Sequence, residues 1–308
     1  MRKFLSIKDK FAEQPQWDAN CWVNVECPDQ DDFEFLQETL RIPEEFLEDI
    51  ADIDERPRTE SEGDWKLIIL RIPMRNTHEG LPFSTVPIGV IAGKDVLVTV
   101  CYFQTEMLSD FVHHVRRKNI EITTKSDFIL RIIYSSAYWF QKYLKSVYNQ
   151  VNDAEKELEK SIRNEDLLQL MKLQKSLVFF NTSLRGNEMM IGRLKKGTQG
   201  SNSFNPDLVE DVVIELKQAY NTVNIYSDIL TGTMDAFASI ISNNVNAIMK
   251  RMTSISITLM IPTLIASFYG MNVSIDYGSG PYAFFGIILI SALLSAVSVI
   301  WFRKIKWF

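Results

Sequence analysis

Two stretches near the C-terminal end contain no Asp, Glu, Lys or Arg: residues 252–275 and residues 277–302, with Asp276 alone between them. Each exceeds the roughly 20 helical residues needed to cross a hydrocarbon layer about 30 Å thick. The whole chain, 308 residues with 46% hydrophobic and 23% charged positions, averages out to a soluble protein, so the average hides the division. Residues 251–308 carry a net charge of +3, and the first 250 residues therefore carry −9 of the total −6. A large acidic portion joined to a short apolar tail with basic flanks excludes an ordinary cytosolic enzyme. It also excludes nucleic acid as a partner, which would require a basic face. The chain reads as a membrane protein anchored in the bilayer at its C-terminal end.

The expected spans are residues 252–272 and 282–302. The second is rich in Ile, Leu and Ala and suits lipid on every side, whereas Thr253, Ser254, Ser256, Thr258, Thr263 and Ser267 interrupt the first. Lys250 and Arg251 precede the first span, Arg303, Lys304 and Lys306 follow the second, and the loop between them has no basic residue. The positive-inside tendency then places both termini in the cytosol and the loop outside, with the inner (plasma) membrane as the location. The first ten residues contain no apolar run of signal-peptide length, so no cleaved leader is expected. Cys21, Cys27 and Cys101 have no close metal-ligand spacing and are expected as free thiols.

Three regions follow: a cytosolic αβ domain over 1–125, a cytosolic helical stalk region over 126–250, and a transmembrane domain with a basic tail over 251–308. In the first, residues 66–72, 86–91 and 96–100 are β-branched runs expected as strands, and residues 31–52 read as helical with a break at Pro43. Residues 29–64 hold 15 acids against three Arg, a solvated surface that would also gather divalent cations. From Ser126 the apolar spacing becomes helical, a second helix is expected over about 165–194, and Gly197 to Ser203 reads as a loop. After Asn205-Pro206-Asp207 no proline occurs until Pro262, so residues 207–272 can form one helix about 100 Å long. That is too long for a bilayer, and most of it must lie outside as a stalk.

One face of this helix carries Asp235, Ser239, Ser242, Asn246, Met249, Met252, Ser256, Met260, Thr263 and Ser267. The steps are all 3 or 4 and average near 3.6, so the ten residues share one side. Small polar groups and unbranched Met stand where a lipid-facing helix would carry Leu or Ile. Two readings fit. Small and hydroxyl residues let membrane helices pack closely; alternatively the stripe borders a water-filled conduit, with Met249, Met252 and Met260 as narrow apolar rings. Hydroxyl and amide dipoles are tolerated there, whereas a charged ring at mid-bilayer is costly. Two helices cannot enclose a pore, so conduction would require several copies about an axis.

The first span ends in Tyr269-Gly270-Met271-Asn272. At the outer end of the first of two C-terminal spans, Gly270, Met271 and Asn272 resemble the signature of the CorA-type magnesium channels. Asn246, Met249, Lys250 and Thr253 match that family's Asn-x-x-Met-Lys-x-Leu-Thr element, and Lys304 to Phe308 resemble its basic aromatic tail. Glu55-Arg56-Pro57-Arg58 and the segment ending Leu70-Arg71-Ile72-Pro73 resemble part of its cytosolic domain. Met252 stands where the family usually has leucine, and the outer loop from Val273 to Pro281 lacks its common Met-Pro-Glu-Leu run.

The resemblance implies an α+β cytosolic head, a long helical stalk and two C-terminal transmembrane helices in a funnel-shaped homopentamer whose long helices line the pore. It implies Gly270, Met271 and Asn272 as the ring that meets the hydrated ion, with Asn272 acting through hydration water. It implies membrane-potential-driven Mg²⁺ uptake, closed by cytosolic Mg²⁺ at carboxylate sites, with Co²⁺ and Ni²⁺ as secondary ions. Asp211 falls where the family has a stalk-helix sensor acid, and Asp235 on the stripe would form a cation-attracting ring. No cofactor is expected beyond Mg²⁺ as transported and regulatory ion. Two other functions stay open: a zinc or other transition-metal transporter on the same scaffold, possibly proton-coupled, and a non-conducting membrane-anchored scaffold or sensor. No phosphate loop, nucleophile elbow or metal-hydrolase motif marks an enzyme.

Overall fold

The computed structural model describes residues 1–19, 21–76, 80–160, 163–197, 204–271 and 282–307. The chain divides into two compact units, Met1–Gly232 and Thr233–Phe308. The first is built on a seven-stranded sheet of order β2-β1-β3-β7-β6-β5-β4. Its strands are β1 (Arg2–Ser6), β2 (Ala12–Gln14), β3 (Cys21–Glu26), β4 (Arg58–Glu62), β5 (Trp65–Arg75), β6 (Phe83–Ala92) and β7 (Leu97–Cys101). Only β3 and β7 pair in parallel, Trp22 opposite Leu97 and Val25 opposite Val100. The three expected strands are present, β5 and β6 longer than read and β7 shifted by one residue, while β1 to β4 went unread.

Both faces of the sheet are buried, and period-two alternation sorts the side chains. Val23, Val25, Leu67, Ile69, Ile91, Val98 and Val100 join Phe46, Leu47 and Ile50 of the short helix α2 (Glu44–Ala51) in one core. On the other face Trp22 packs edge-on to Phe11 and Phe128, at ring-centroid distances of 4.9 and 5.0 Å. Its indole donates to Thr99 Oγ1 at 2.8 Å, and Thr99 Oγ1 in turn donates to Asn24 Oδ1 at 2.8 Å.

The expected helix over 31–52 is divided more than Pro43 alone suggests. Helix α1 (Gln30–Glu34) starts on a reciprocal cap between Asp29 and Asp32, widens into a π-turn over Phe35–Thr39, and stops. Arg41 takes a left-handed φ of 58°, and Pro43 disfavours a helical residue before it. Helix α3 (Glu106–Lys118) begins on Thr105, whose hydroxyl accepts from Leu108 N, and ends on left-handed Asn119.

Two long helices, α4 (Lys125–Lys160) and α5 (Asn164–Gly197), cover the sheet. Polar positions on α5 fasten it to the strands. Ser176 Oγ donates to Phe83 O at 2.8 Å, Thr85 and Ser183 share a 2.8 Å hydroxyl contact, and Asn187 brackets the backbone of Arg71. Helix α6 (Pro206–Tyr269) runs 64 residues through Pro262. Within the first unit its buried positions are Val209, Val212, Leu216, Ala219 and Val223, in steps of 3 and 4, and then Leu230 two turns further on. Helix α7 (Ala283–Lys304) belongs to the second unit. Both α6 and α7 are long and apolar enough to cross a membrane. The loop read at Gly197–Ser203 and the outer loop fall largely outside the described residues.

Candidate functional site

Within the unit Thr233–Phe308, α6 meets α7 along one face. Ser254 is fully buried, and Thr258 Oγ1 lies 3.1 Å from Ser298 Oγ, a direct hydroxyl bond between the helices. Ile261 and Ile265 continue this face, bordering a groove shared with Leu294 and Val297. Ser254 and Thr258 also donate to Lys250 O and Ser254 O at 2.8 Å each, so these hydroxyls are satisfied inside the helix pair. Pro262 cannot donate to the carbonyl of Thr258, yet α6 continues through it.

The ten-residue stripe lies elsewhere. Ser256, Met260, Thr263 and Ser267 each follow a position on the α7-facing side, 254, 258, 261 and 265, by two residues. Two residues correspond to about 200° around a helix, so the stripe points away from α7. All ten of its members, Asp235, Ser239, Ser242, Asn246, Met249, Met252, Ser256, Met260, Thr263 and Ser267, are exposed on the single chain. Met252 and Met260 are 62% and 67% exposed. The hydroxyls of the first span therefore form two sets, one used in pairing with α7 and one left outside it. Thr263 Oγ1 donates back to Leu259 O at 3.1 Å, which leaves its lone pairs outward as acceptors.

Exposed amide and hydroxyl groups facing hydrocarbon would each cost about 1–3 kcal/mol without a partner. Ser256 and Ser267, with the outward lone pairs of Thr263, make lipid a less favourable neighbour for this face than for an all-aliphatic one.

At the end of α6, Gly270 N donates to Ala266 O at 2.9 Å and Met271 N reaches Phe268 O at 3.4 Å. Gly270 thus closes one more helical bond without a left-handed φ. A Cβ on it would lie 3.3 Å from Ala266 O. Met271 is exposed, and Asn272 lies outside the described residues, as does Asp276.

Asp211 sits in the first unit, on α6, bordering a cavity of about 410 Å³ between α3, α4 and α6. Asp110, His114, Arg117, Arg131 and Tyr134 border the same cavity. Burial first, then Glu215 and Asp211, push the Tyr134 hydroxyl above its ordinary pKa. Glu215, one turn beyond Asp211, accepts from Gln141 Nε2 at 2.8 Å, and burial raises its carboxyl pKa. Sequence reasoning missed Asp110 and Glu215; the four-residue spacing from Asp211 was the available signal for the latter. Among the described residues, no group of three or more His, Cys, Asp or Glu stands together as a metal site within this chain. All three cysteines are free, Cys21 and Cys101 buried and Cys27 exposed.

The comparisons with known proteins come to the same architecture. Residues 17–304 match the family described as CorA-like Mg²⁺ transporter protein. A relative in Methanocaldococcus jannaschii, the cobalt/magnesium transport protein CorA, is 24% identical over 301 residues, covering 93% of this chain and 90% of that protein. The complete structure of the CorA magnesium transporter from the same organism superposes with a TM-score of 0.82 at 21% identity, covering 100% of this chain and 98% of that one. The cytoplasmic domain of ZntB from Vibrio parahaemolyticus shares the fold of the first unit more distantly. Its TM-score is 0.60 at 14% identity, over 79% of this chain and 97% of that one.

Proposed function

We propose a function from one premise: the chain belongs to the CorA-like Mg²⁺ transporter protein family. From it we infer a divalent-cation channel, a homopentamer whose α6 helices border the pore. The observation that carries this reading is the stripe, exposed on the side of α6 opposite α7. Five copies of such a face can surround water, whereas one copy cannot.

Mg²⁺ holds its waters in a tight octahedron with metal–oxygen distances of about 2.0–2.1 Å and dehydrates reluctantly. A mouth built from amide oxygens of Asn272, with Gly270 and Met271 beneath, would accept hydrogen bonds from the water shell without stripping it. A carboxylate ring there would hold the ion too firmly to release it. Below come the hydroxyls of Ser267 and Thr263, then Met260, Ser256, Met252 and Met249, so the ion passes neutral dipoles first and mostly apolar constrictions after them. Asn246, Ser242, Ser239 and Asp235 extend the polar path, with Asp235 as its single acid.

The membrane potential supplies the drive. One charge moved through 100 mV is worth about 2.3 kcal/mol, so a divalent ion gains about 4.6 kcal/mol on entry, with both termini in the cytosol. No cofactor and no catalytic step are required. Closure by cytosolic Mg²⁺ would act at carboxylates between copies, with Asp211 as one ligand. Asp110, on α3 across the same cavity, is an acidic companion its surroundings offer.

The stripe carries neither Cys nor His, and its oxygen donors favour a hard ion over zinc. Flux into proteoliposomes tests the reading, comparing Mg²⁺, Co²⁺ and Zn²⁺ with and without a pH gradient. Potential-driven Mg²⁺ entry that Asn272→Ala largely removes is expected. Zinc entry that requires a proton gradient would replace this reading with a transition-metal transporter. No ion flux at all would leave a membrane-anchored scaffold.

A further inference from the structure

The pairing of α6 with α7 leaves a feature that conduction does not use. Beside the Thr258–Ser298 bond lies a groove of about 420 Å³, with Ile261, Leu264 and Ile265 on one side and Leu294, Val297 and Trp301 on the other. Apart from Ser298, already engaged with Thr258 and with Ser295 O at 3.0 Å, its walls are hydrocarbon and indole. Its volume lies within the about 300–1,000 Å³ common to small-molecule sites.

Both walls end on a cation. On α6 the groove side continues from Leu264 and Ile261 through Ile257 and Ser254 to Lys250, in steps of 3 and 4. On α7 it runs from Leu294 through Val297 and Trp301 to Lys304, again in steps of 3 and 4. Both lysines are exposed. At 1.5 Å per residue, Lys304 lies about 15 Å along the axis from Leu294, and Lys250 about 16 Å from Ile261. One leaflet of a bilayer with an about 30 Å hydrocarbon core has that depth. Trp301, 59% exposed, stands one turn from Lys304, where interfacial tryptophans sit. From Lys250 onward the described residues contain no acid, and the one described acid of this unit, Asp235, lies 15 residues before Lys250.

We propose that this groove is a site for one anionic glycerophospholipid per chain, with an acyl chain between α6 and α7 and its phosphate at Lys250 and Lys304. The argument rests on the reading of both helices as membrane spans and is independent of conduction. The charge selects the headgroup, since each lysine near an anionic surface contributes about 1 kcal/mol. The groove fixes where the lipid stays, because only a chain one leaflet deep reaches from the cations to Ile261 and Leu294.

The test uses the full chain in detergent, with native mass spectrometry to read retained lipid and thermal unfolding as a second readout. Phosphatidylglycerol and phosphatidylcholine with identical acyl chains are compared. Retention of phosphatidylglycerol about tenfold above phosphatidylcholine, a difference of about 1.4 kcal/mol, is expected. Lys250→Gln with Lys304→Gln should remove the preference, and Val297→Trp, which fills the groove, should remove retention of both lipids. Glycerophosphoglycerol, the headgroup without chains, should not raise the unfolding temperature. Equal retention of the two lipids by the unmodified chain overturns the proposal without recourse to any variant. A preference that survives Val297→Trp would reflect attraction to an anionic surface alone and overturns the groove. Because lipid retention is read rather than flux, a channel that conducts without lipid preference sinks only this inference.

Discussion

The guanidinium of Arg71 closes four hydrogen bonds: to Ile53 O at 2.7 Å, Glu55 O at 3.0 Å, Thr85 O at 2.7 Å and Thr85 Oγ1 at 3.1 Å. It holds the acidic loop after α2 against β6. The Arg71 backbone is bracketed by Asn187, whose Oδ1 accepts from Arg71 N at 2.9 Å and whose Nδ2 donates to Arg71 O at 2.7 Å. β4 ends its pairing with Arg58 opposite Ile69, and two residues further along β5 the Asn187 amide serves the Arg71 backbone instead. Arg71→Ala leaves four carbonyl or hydroxyl acceptors without this donor and should cost about 2–4 kcal/mol, read as a lowered unfolding temperature. An unchanged unfolding temperature would remove Arg71 from the list of groups that hold this loop. Glu215 gives a pH-dependent counterpart. Its folded pKa is raised by burial, so the folded state binds the proton more tightly than the unfolded one. Stability should fall as pH rises from the ordinary carboxylate range through that raised value, and then level off. Glu215→Gln should therefore raise the unfolding temperature at neutral pH, with the gap closing in acid; a gap that is constant with pH would contradict the burial argument.

At the scale of elements, α6 shows what a sequence can and cannot disclose. Its length was legible from the Asn205-Pro206-Asp207 start and the lack of proline up to Pro262, and its stripe from steps of 3 and 4. Which hydroxyls pair with α7 was not, since Ser254 and Thr258 differ from Ser256 and Thr263 only in the direction a neighbouring helix approaches. The strands divide likewise. β5 and β6 are long β-branched runs, whereas β4 reads Arg-Thr-Glu-Ser-Glu, an edge strand whose charges guard against pairing with other chains and hide it from hydropathy. β3 is short, and its register comes from parallel pairing with β7, 75 residues away in sequence at Trp22 and Leu97. The division of hydroxyls leads to a paired prediction. Thr258→Val removes the bond to Ser298 and should lower the unfolding temperature, by an interhelical bond worth about 0.6–1.7 kcal/mol, with ion flux little changed. Ser256→Val should leave unfolding unchanged and lower flux. The reverse pattern would place the stripe at a helix interface and Thr258 at the water.

For the whole molecule, the acidic first 250 residues and the basic-flanked apolar tail were plain in composition, and the family in the residues around Asn246 to Met271. The number of copies was not, because one chain contains only one edge of the proposed conduit. Native mass spectrometry of the detergent-solubilised protein should give five times the 35.5 kDa chain mass; a monomer or dimer would leave the stripe without a tunnel to border. Asp235→Asn should reduce Mg²⁺ entry most at low external Mg²⁺, because a ring of acids raises the local cation concentration and saturates when the ion is abundant.

The claim on which these depend is that the polar face of α6 meets water while the opposite face meets α7. Cysteine accessibility in proteoliposomes reads it directly. The background is Cys27→Ser, since Cys21 and Cys101 are buried. Single cysteines at Ser256, Thr263 and Ile261 are then treated with a membrane-impermeant, positively charged thiol reagent during Mg²⁺ uptake. Reaction and block of uptake at positions 256 and 263, with none at 261, is the predicted result. Reaction at 261 with 256 and 263 untouched would turn the helix around and contradict the account.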